Sequence, residues 1–291
     1  PIAAQSRCEI TEEDAAYADS VVITPNEGDP TTGVIIIPTT GVGSVAVTNW
    51  YLGGSLEVTK VLTGAGAEKF GTGSFEVSLA CTLRDEELEI ADGATRTVSA
   101  DAPTALYTAL PTGAICRVAE TDAGGATNSW LADAAGERLV VDDEGGYTFT
   151  VTTDPTDLVD VDQPQPPVSA VNEFLFASIS ATKQTRSAAG AAATGAPATF
   201  PISVVCTLLG LPVTAAESSS QRVAPGETVV WTELPVGAEC AVTETDAGGA
   251  LSTTVAVDDA PAAPGRAATV VLAEGDDESP SVVSFVNTFA D

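Results

Sequence analysis

The sequence predicts an all-β chain of tandem sandwich units. Three observations predict it: long stretches that repeat each other landmark by landmark, short segments of alternating apolar and polar residues, and the Gly, Pro, Asp and Thr clusters that separate them. LPTGAICRVAETDAGGA at 110–126 returns as LPVGAECAVTETDAGGA at 234–250, FEVSLACTL at 75–83 as FPISVVCTL at 200–208, and VNEF at 171–174 as VNTF at 286–289. The landmarks keep their order. A partial copy opens the chain, with CEITEEDAA at 8–16 matching the Cys-to-Asp run and VTNWY at 47–51 matching the closing strand. The expected units are therefore 1–51, the second half of a truncated repeat, then 52–174 and 175–291.

Within the units, SLEVTKV (55–61), 75–83, YTFTV (147–151) and VVSFV (282–286) alternate with the period of a strand buried on one face. VIII at 34–37 is expected as a core strand of the partial unit. Ala188 to Ala198 is Ala-rich but contains Gly190, Gly195 and Pro197, which predicts a loop rather than a helix. QPQPP at 163–167 is stiff and extended and is expected to shape a loop ahead of a closing strand. One β-sandwich of about 100 residues per unit is the economical solution.

Charge and composition narrow the function. Forty-one acidic against 11 basic residues give a formal charge of -30, with no His to titrate near neutrality. Such a surface repels nucleic acid and anionic lipid and keeps an extended molecule soluble. No apolar run approaches the roughly 18 residues of a membrane span. Methionine is absent even at position 1, so any export signal or anchor is expected outside this stretch. Asp142–Glu144, Asp157–Asp162 and Glu274–Glu278 are expected as solvated loops, since no EF-hand loop surrounds them. No nucleophile elbow, paired acid or His-based arrangement can be assembled, so neither an enzyme nor a cofactor is expected.

Five cysteines fall into place once the repeats are aligned. Cys81 with Cys116 and Cys206 with Cys240 occupy equivalent positions, and Cys8 takes the second position of the partial unit, unpaired in this chain. In an exported protein each pair is expected to be a disulfide between two strands of one unit. Closing a loop of about 35 residues contributes roughly 3–4 kcal/mol. Metal binding is disfavoured because the chain has no Cys-x-x-Cys and no His.

Each complete unit also has a Lys in its first strand, a Glu four residues past its second Cys and an Asn in its last strand: Lys60, Glu120, Asn172 and Lys183, Glu244, Asn287. The chain has only one other lysine, Lys69. On the residues alone, the lysines could equally guard strand edges, the glutamates face solvent and the asparagines end strands. The GSLEVTK opening (54–60), the Leu-Pro-x-Gly-x-x-Cys-x-Val-x-Glu-Thr centre and the Val-x-Asn-x-Tyr/Phe ending resemble the collagen-adhesin B-type (Cna-B-like) domains of Gram-positive surface proteins and pilins. Paired cysteines and an Ala-, Thr- and Asp-rich composition narrow the resemblance to actinobacterial wall proteins. The second unit opens more loosely, with SISATK at 178–183.

The resemblance implies a spontaneous isopeptide bond between Lys60 and Asn172 and between Lys183 and Asn287, with Glu120 and Glu244 as catalytic proton shuttles. Burial would make the Lys amine neutral and nucleophilic and would keep the Glu protonated. Tyr51, Phe75, Phe174, Phe200 and Phe289 are expected as the apolar walls. Glu12 and Asn49 take the same positions in the partial unit. The expected fold is thus a head-to-tail rod of immunoglobulin-like or transthyretin-like β-sandwiches. The expected function is the stalk of an extracellular, wall-borne adhesin or pilus-like fibre, with neighbouring repeats or subunits of that fibre as partners and no nucleic acid or membrane insertion. The rival is an adhesin module that binds a glycan or host protein. An aromatic cluster on its loops would favour it, but Trp130 and Trp231 stand apart.

Overall fold

The computed structural model describes residues 2–15, 18–154 and 162–291. Its only helix among them is α1 (Ala67–Phe70), a single turn. The opening segment carries β1 (Arg7–Thr11), β2 (Ser20–Thr24), β3 (Thr32–Ile36) and β4 (Ala46–Trp50). These pair antiparallel as two ribbons, β1 with β3 and β2 with β4.

The next unit runs β5 (Gly53–Thr63), α1, β6 (Ser74–Leu83), β7 (Glu86–Glu87), β8 (Thr95–Ser99), β9 (Thr104–Pro111), β10 (Ile115–Asp122), β11 (Asn128–Ala132), β12 (Tyr147–Thr150), β13 (Asp162–Pro164) and β14 (Val168–Glu173). The last runs β15 (Phe176–Ser187), β16 (Phe200–Leu208), β17 (Leu211–Val213), β18 (Ser220–Val223), β19 (Thr228–Pro235), β20 (Glu239–Glu244), β21 (Ser252–Val257), β22 (Ala263–Pro264), β23 (Ala267–Val271) and β24 (Ser281–Phe289).

Each complete unit is a two-sheet sandwich with its own core. In the first, β5 lies between β9 and β14, with β11 outside β14, while β12, β10 and β6 form the facing sheet, with β7 and β8 on the outer edge of β6. The second repeats this plan with β15, β19, β24 and β21 against β23, β20 and β16. The first and last strands of a unit run side by side and parallel, Lys60 opposite Ala170 and Lys183 opposite Phe285. A parallel pair needs a long crossover, and here the rest of the unit supplies it. Leu56, Val58, Phe75, Val77, Leu79, Tyr107 and Val118 fill one core, and Ile179, Ile202, Val204, Trp231, Val242 and Phe285 the other.

Some details differ from the sequence expectation. VIII at 34–37 contributes β3, but Val34 and Ile35 are only partly buried and Ile36 is 54% exposed. QPQPP is more than a loop: Asp162–Pro164 pairs parallel with Gly53–Ser55, Gln165 N donates to Ser55 O, and the buried Gln165 side chain bonds Thr152. Ala188–Ala198 contains no helix or strand. Of the acidic stretch Asp157–Asp162, only Asp162 lies among the described residues.

Candidate functional site

Strand alternation places the site. Leu56, Val58 and Lys60 are successive inward positions of β5; Val168, Ala170 and Asn172 are those of β14; Cys116, Val118 and Glu120 are those of β10. The second unit repeats this with Ile179, Ala181, Lys183; Val283, Phe285, Asn287; and Cys240, Val242, Glu244. Lys and Asn therefore project from adjacent strands of one sheet, two positions apart on the same face, and Glu meets them from the other sheet.

In the first unit Lys60 Nζ donates to Glu120 Oε1 at 2.5 Å, and Asn172 Nδ2 donates to the same oxygen at 3.1 Å. In the second, Lys183 Nζ lies 2.8 Å from Glu244 Oε1, off the axis of a hydrogen bond, and Asn287 Nδ2 donates to that oxygen at 3.0 Å. The lysine side chains are 0% exposed in both units. They are central-strand residues, not edge guards.

The second amide hydrogen of each Asn goes to a backbone carbonyl, Ala123 O at 2.9 Å and Ala247 O at 3.1 Å. This explains the duplicated Thr-Asp-Ala-Gly-Gly run, which sequence reasoning used only to align the repeats. Asp122 Oδ1 accepts from Gly124 N, and Asp246 Oδ1 from Gly248 N, each at 2.8 Å, so each Asp ties the turn that aims the carbonyl of the Ala following it. Gly124 has φ 60, and a Cβ there would sit 2.7 Å from the Phe75 ring. Ser129 was also missed: its Oγ donates to Glu120 Oε2 at 2.6 Å. Glu244 Oε2 has no such partner.

The walls are aromatic. Lys60 Nζ stands 4.5 Å from the Phe75 ring centroid and Lys183 Nζ 4.5 Å from that of Phe200, with Phe174 and Phe289 tilted against those rings. Tyr51 is not a wall. It is 56% exposed, and its hydroxyl donates to Ala15 O. Burial lowers the pKa of Lys60 and of Lys183 below the ordinary amine value, against the opposing pull of the paired glutamates. The Asn172 and Asn287 Oδ1 atoms are buried with no hydrogen-bond partner. A core that holds a charged or polar triad and an orphaned carbonyl oxygen is a poor source of stability. The arrangement instead suits chemistry: one carboxylate oxygen touches both a buried amine and an amide nitrogen.

Cys81 faces Cys116 and Cys206 faces Cys240 across neighbouring strands, and both pairs are disulfide-bonded. Cys8 is free. Among the described residues no His, Cys, Asp and Glu cluster could hold a metal, and no helix is long and apolar enough to cross a membrane. Trp231 is a core residue whose Nε1 donates to Ser218 O, and Trp130 stacks under Arg138.

No curated protein matches the sequence. Among solved structures the chain is similar to the major pilin of Streptococcus pyogenes, at 13% identity and a TM-score of 0.42, covering 82% of this chain and 99% of that one. It is similar to the major pilin protein T-13 from that organism, at 15% identity and a TM-score of 0.43, covering 82% and 98%. It is also similar to a pilus-presented adhesin, at 12% identity and a TM-score of 0.31, covering 61% and 36%. The family model described as "Domain of unknown function (DUF5979)" matches residues 56–174 and again 179–290. Those two matches span both complete sandwiches and most of the sequence, and the chain belongs to the DUF5979 family.

Proposed function

We propose that this chain is a load-bearing stalk segment of a secreted bacterial surface fibre, its units held by disulfides and by the isopeptide bonds Lys60–Asn172 and Lys183–Asn287. The observation that carries the reading is the buried Lys, Glu and Asn set, present twice and bridging the first and last strands of each unit. The disulfides fit an oxidising, extracellular setting. The acidic surface fits an exposed polymer whose partners are neighbouring units or subunits.

The chemistry balances without a cofactor. The Lys ammonium passes a proton to the Glu carboxylate, leaving a neutral amine and a carboxylic acid. The amine nitrogen attacks Asn Cγ. As the new C–N bond forms, Glu takes a proton from Nζ and gives one to Nδ2, and the Asn C–N bond breaks to release ammonia. Glu120 Oε1 lies within hydrogen-bond distance of both nitrogens, so one oxygen can serve nucleophile and leaving group. Desolvation favours the neutral amine. Each site reacts once with its own chain, which is maturation and not turnover.

Intact mass of the non-reduced protein tests this. The expected value is the sequence mass less four disulfide hydrogens and two ammonias, with both ammonias regained in the double variant Glu120→Ala, Glu244→Ala. A mass lacking only the disulfide hydrogens refutes the reading.

A further inference from the structure

The opening segment carries the same site in incomplete form. Strand β1 pairs β3 with Cys8 opposite Ile35, as β10 pairs β12 with Cys116 opposite Phe149. Strand β2 pairs β4 with Asn49 opposite Val21, as β11 pairs β14 with Asn172 opposite Ser129. The entry turn agrees as well: Gln5 has φ 71 where Gly113 has φ 78. Gln5 N donates to Ile37 O as Gly113 N donates to Val151 O, and Ile37 N donates to Ser6 O as Val151 N donates to Ala114 O.

The side chains follow. Asn49 Nδ2 donates to Glu12 Oε1 at 3.0 Å, the bond that Asn287 makes to Glu244 at the same distance. Asn49 Oδ1 is a buried orphan, as in the complete units, and so is Glu12 Oε2. Among residues 2–51, however, no described strand corresponds to β5 or β6. The edge of β4 that β5 would line and the edge of β1 that β6 would line have no strand partner among the described residues. The complete units show what lies on those edges: a strand with an inward Lys and a strand with an inward Cys.

We infer that residues 2–51 are the acceptor half of a third cross-linked unit, with Asn49 as electrophile, Glu12 as proton shuttle and Cys8 as disulfide partner. The occupant of the open edges is a polypeptide half-unit built like residues 52–110. Its Lys strand lies parallel to β4 with the Lys opposite Val47, two positions before Asn49, as Lys60 lies opposite Ala170. Its Cys strand lies antiparallel to β1 with the Cys opposite Cys8, as Cys81 lies opposite Cys116. The bond-making step is the one already balanced for Lys60 and Asn172, so the inference rests on that reading.

A chimera in which residues 52–110 are joined directly to Ala3 of the chain supplies such a half-unit in cis. The expected product has lost three ammonias and six disulfide hydrogens, and proteolysis yields a branched peptide linking the grafted copy of Lys60 to Asn49. Asn49→Ala in the chimera restores one ammonia and leaves the other two losses. In trans, the separate fragment 52–110 mixed with the full chain is expected to give a covalent adduct through the same residues. A chimera that loses two ammonias, or a cross-link that leaves out Asn49, overturns the inference while the proposed function stands. A chain that loses none fails at the earlier reading. Self-association of the full chain through β4 that excludes the added fragment overturns the choice of occupant.

Discussion

Pulling on the second unit from its two ends separates a covalent load path from a hydrogen-bonded one. Strands β15 and β24 are adjacent and parallel from Ile179–Ser281 to Ser187–Phe289, so force applied at the ends shears this pair. In the proposed cross-linked state, force enters through β15, crosses from Lys183 to Asn287 and leaves through β24, and residues 184–286 carry none of it. Asn287→Ala removes that path. Of the roughly 100 residues then released, the Cys206–Cys240 loop holds back 34. The remaining 70 or so extend by about 240 Å at ~3.5 Å per residue, and reduction of the disulfide adds about 120 Å. Single-molecule force spectroscopy between inert handles reads these lengths. The variant is expected to lengthen by about 240 Å in one step, while the wild-type unit stays at its folded length under the same force. Glu244→Ala should lengthen as Asn287→Ala does, because the same bond fails to form. A step of about 240 Å in the wild-type unit refutes the covalent load path.

The buried lysine gives a pH signature when cross-linking is blocked. In Asn172→Ala, Lys60 remains an amine whose pKa burial holds below 10.5, so between that lowered value and 10.5 the unfolded chain binds the extra proton. Unfolding free energy should therefore rise with pH through that window and be flat below it; urea melts across the window read the slope, and adding Lys60→Met should abolish it. Gly124→Ala places a Cβ 2.7 Å from the Phe75 ring at a φ of 60, which should cost about 1–3 kcal/mol and slow cross-linking of the first unit alone. Gly136→Ala, where φ is 85 but nothing lies within 4 Å, should lose stability without changing cross-linking. Refolding followed by intact mass separates these outcomes, and equal effects of the two substitutions would sink the role assigned to the turn.

Period-two alternation made the sandwiches legible, and with them much of the site. Lys60, Glu120 and Asn172 each continue an inward series begun by apolar residues two and four positions earlier, so their direction could be read from the strands. Their meeting point could not. It depends on β5 lying beside β14 and opposite β10, a pairing of segments far apart in sequence that no local pattern specifies. The Ala123 carbonyl was hidden for another reason: a backbone acceptor has no residue type to notice, and only the Asp-Gly-Gly chemistry around it hinted at a fixed turn. Tyr51 misled because it sits in the motif position of Phe174 and Phe289, yet no described residue among 2–51 corresponds to Phe75, the β6 ring against which Phe174 packs, and Tyr51 stays 56% exposed.

The disulfide and the proposed Lys–Asn bond of a unit would do different work because one lies inside the other. Cys81 and Cys116 fall within the loop that a Lys60–Asn172 bond would close, so once that bond exists the disulfide bears no end-to-end load. Its contribution comes earlier. Before the reaction, the unit must fold around a buried amine, carboxyl and amide whose burial opposes folding by several kcal/mol. The amine becomes nucleophilic only when that core has closed. A disulfide separated by 35 residues restricts the unfolded chain and contributes about 3–4 kcal/mol at this stage, enough to offset much of the opposing term. Oxidation should therefore precede and promote cross-linking. In Cys81→Ser, Cys116→Ser, cross-linking of the first unit on refolding is expected to slow or stop short of completion, and the second unit, with its own intact disulfide, should proceed at the wild-type rate. Should both units cross-link equally fast without the first disulfide, the core closes unaided and this division of labour is wrong.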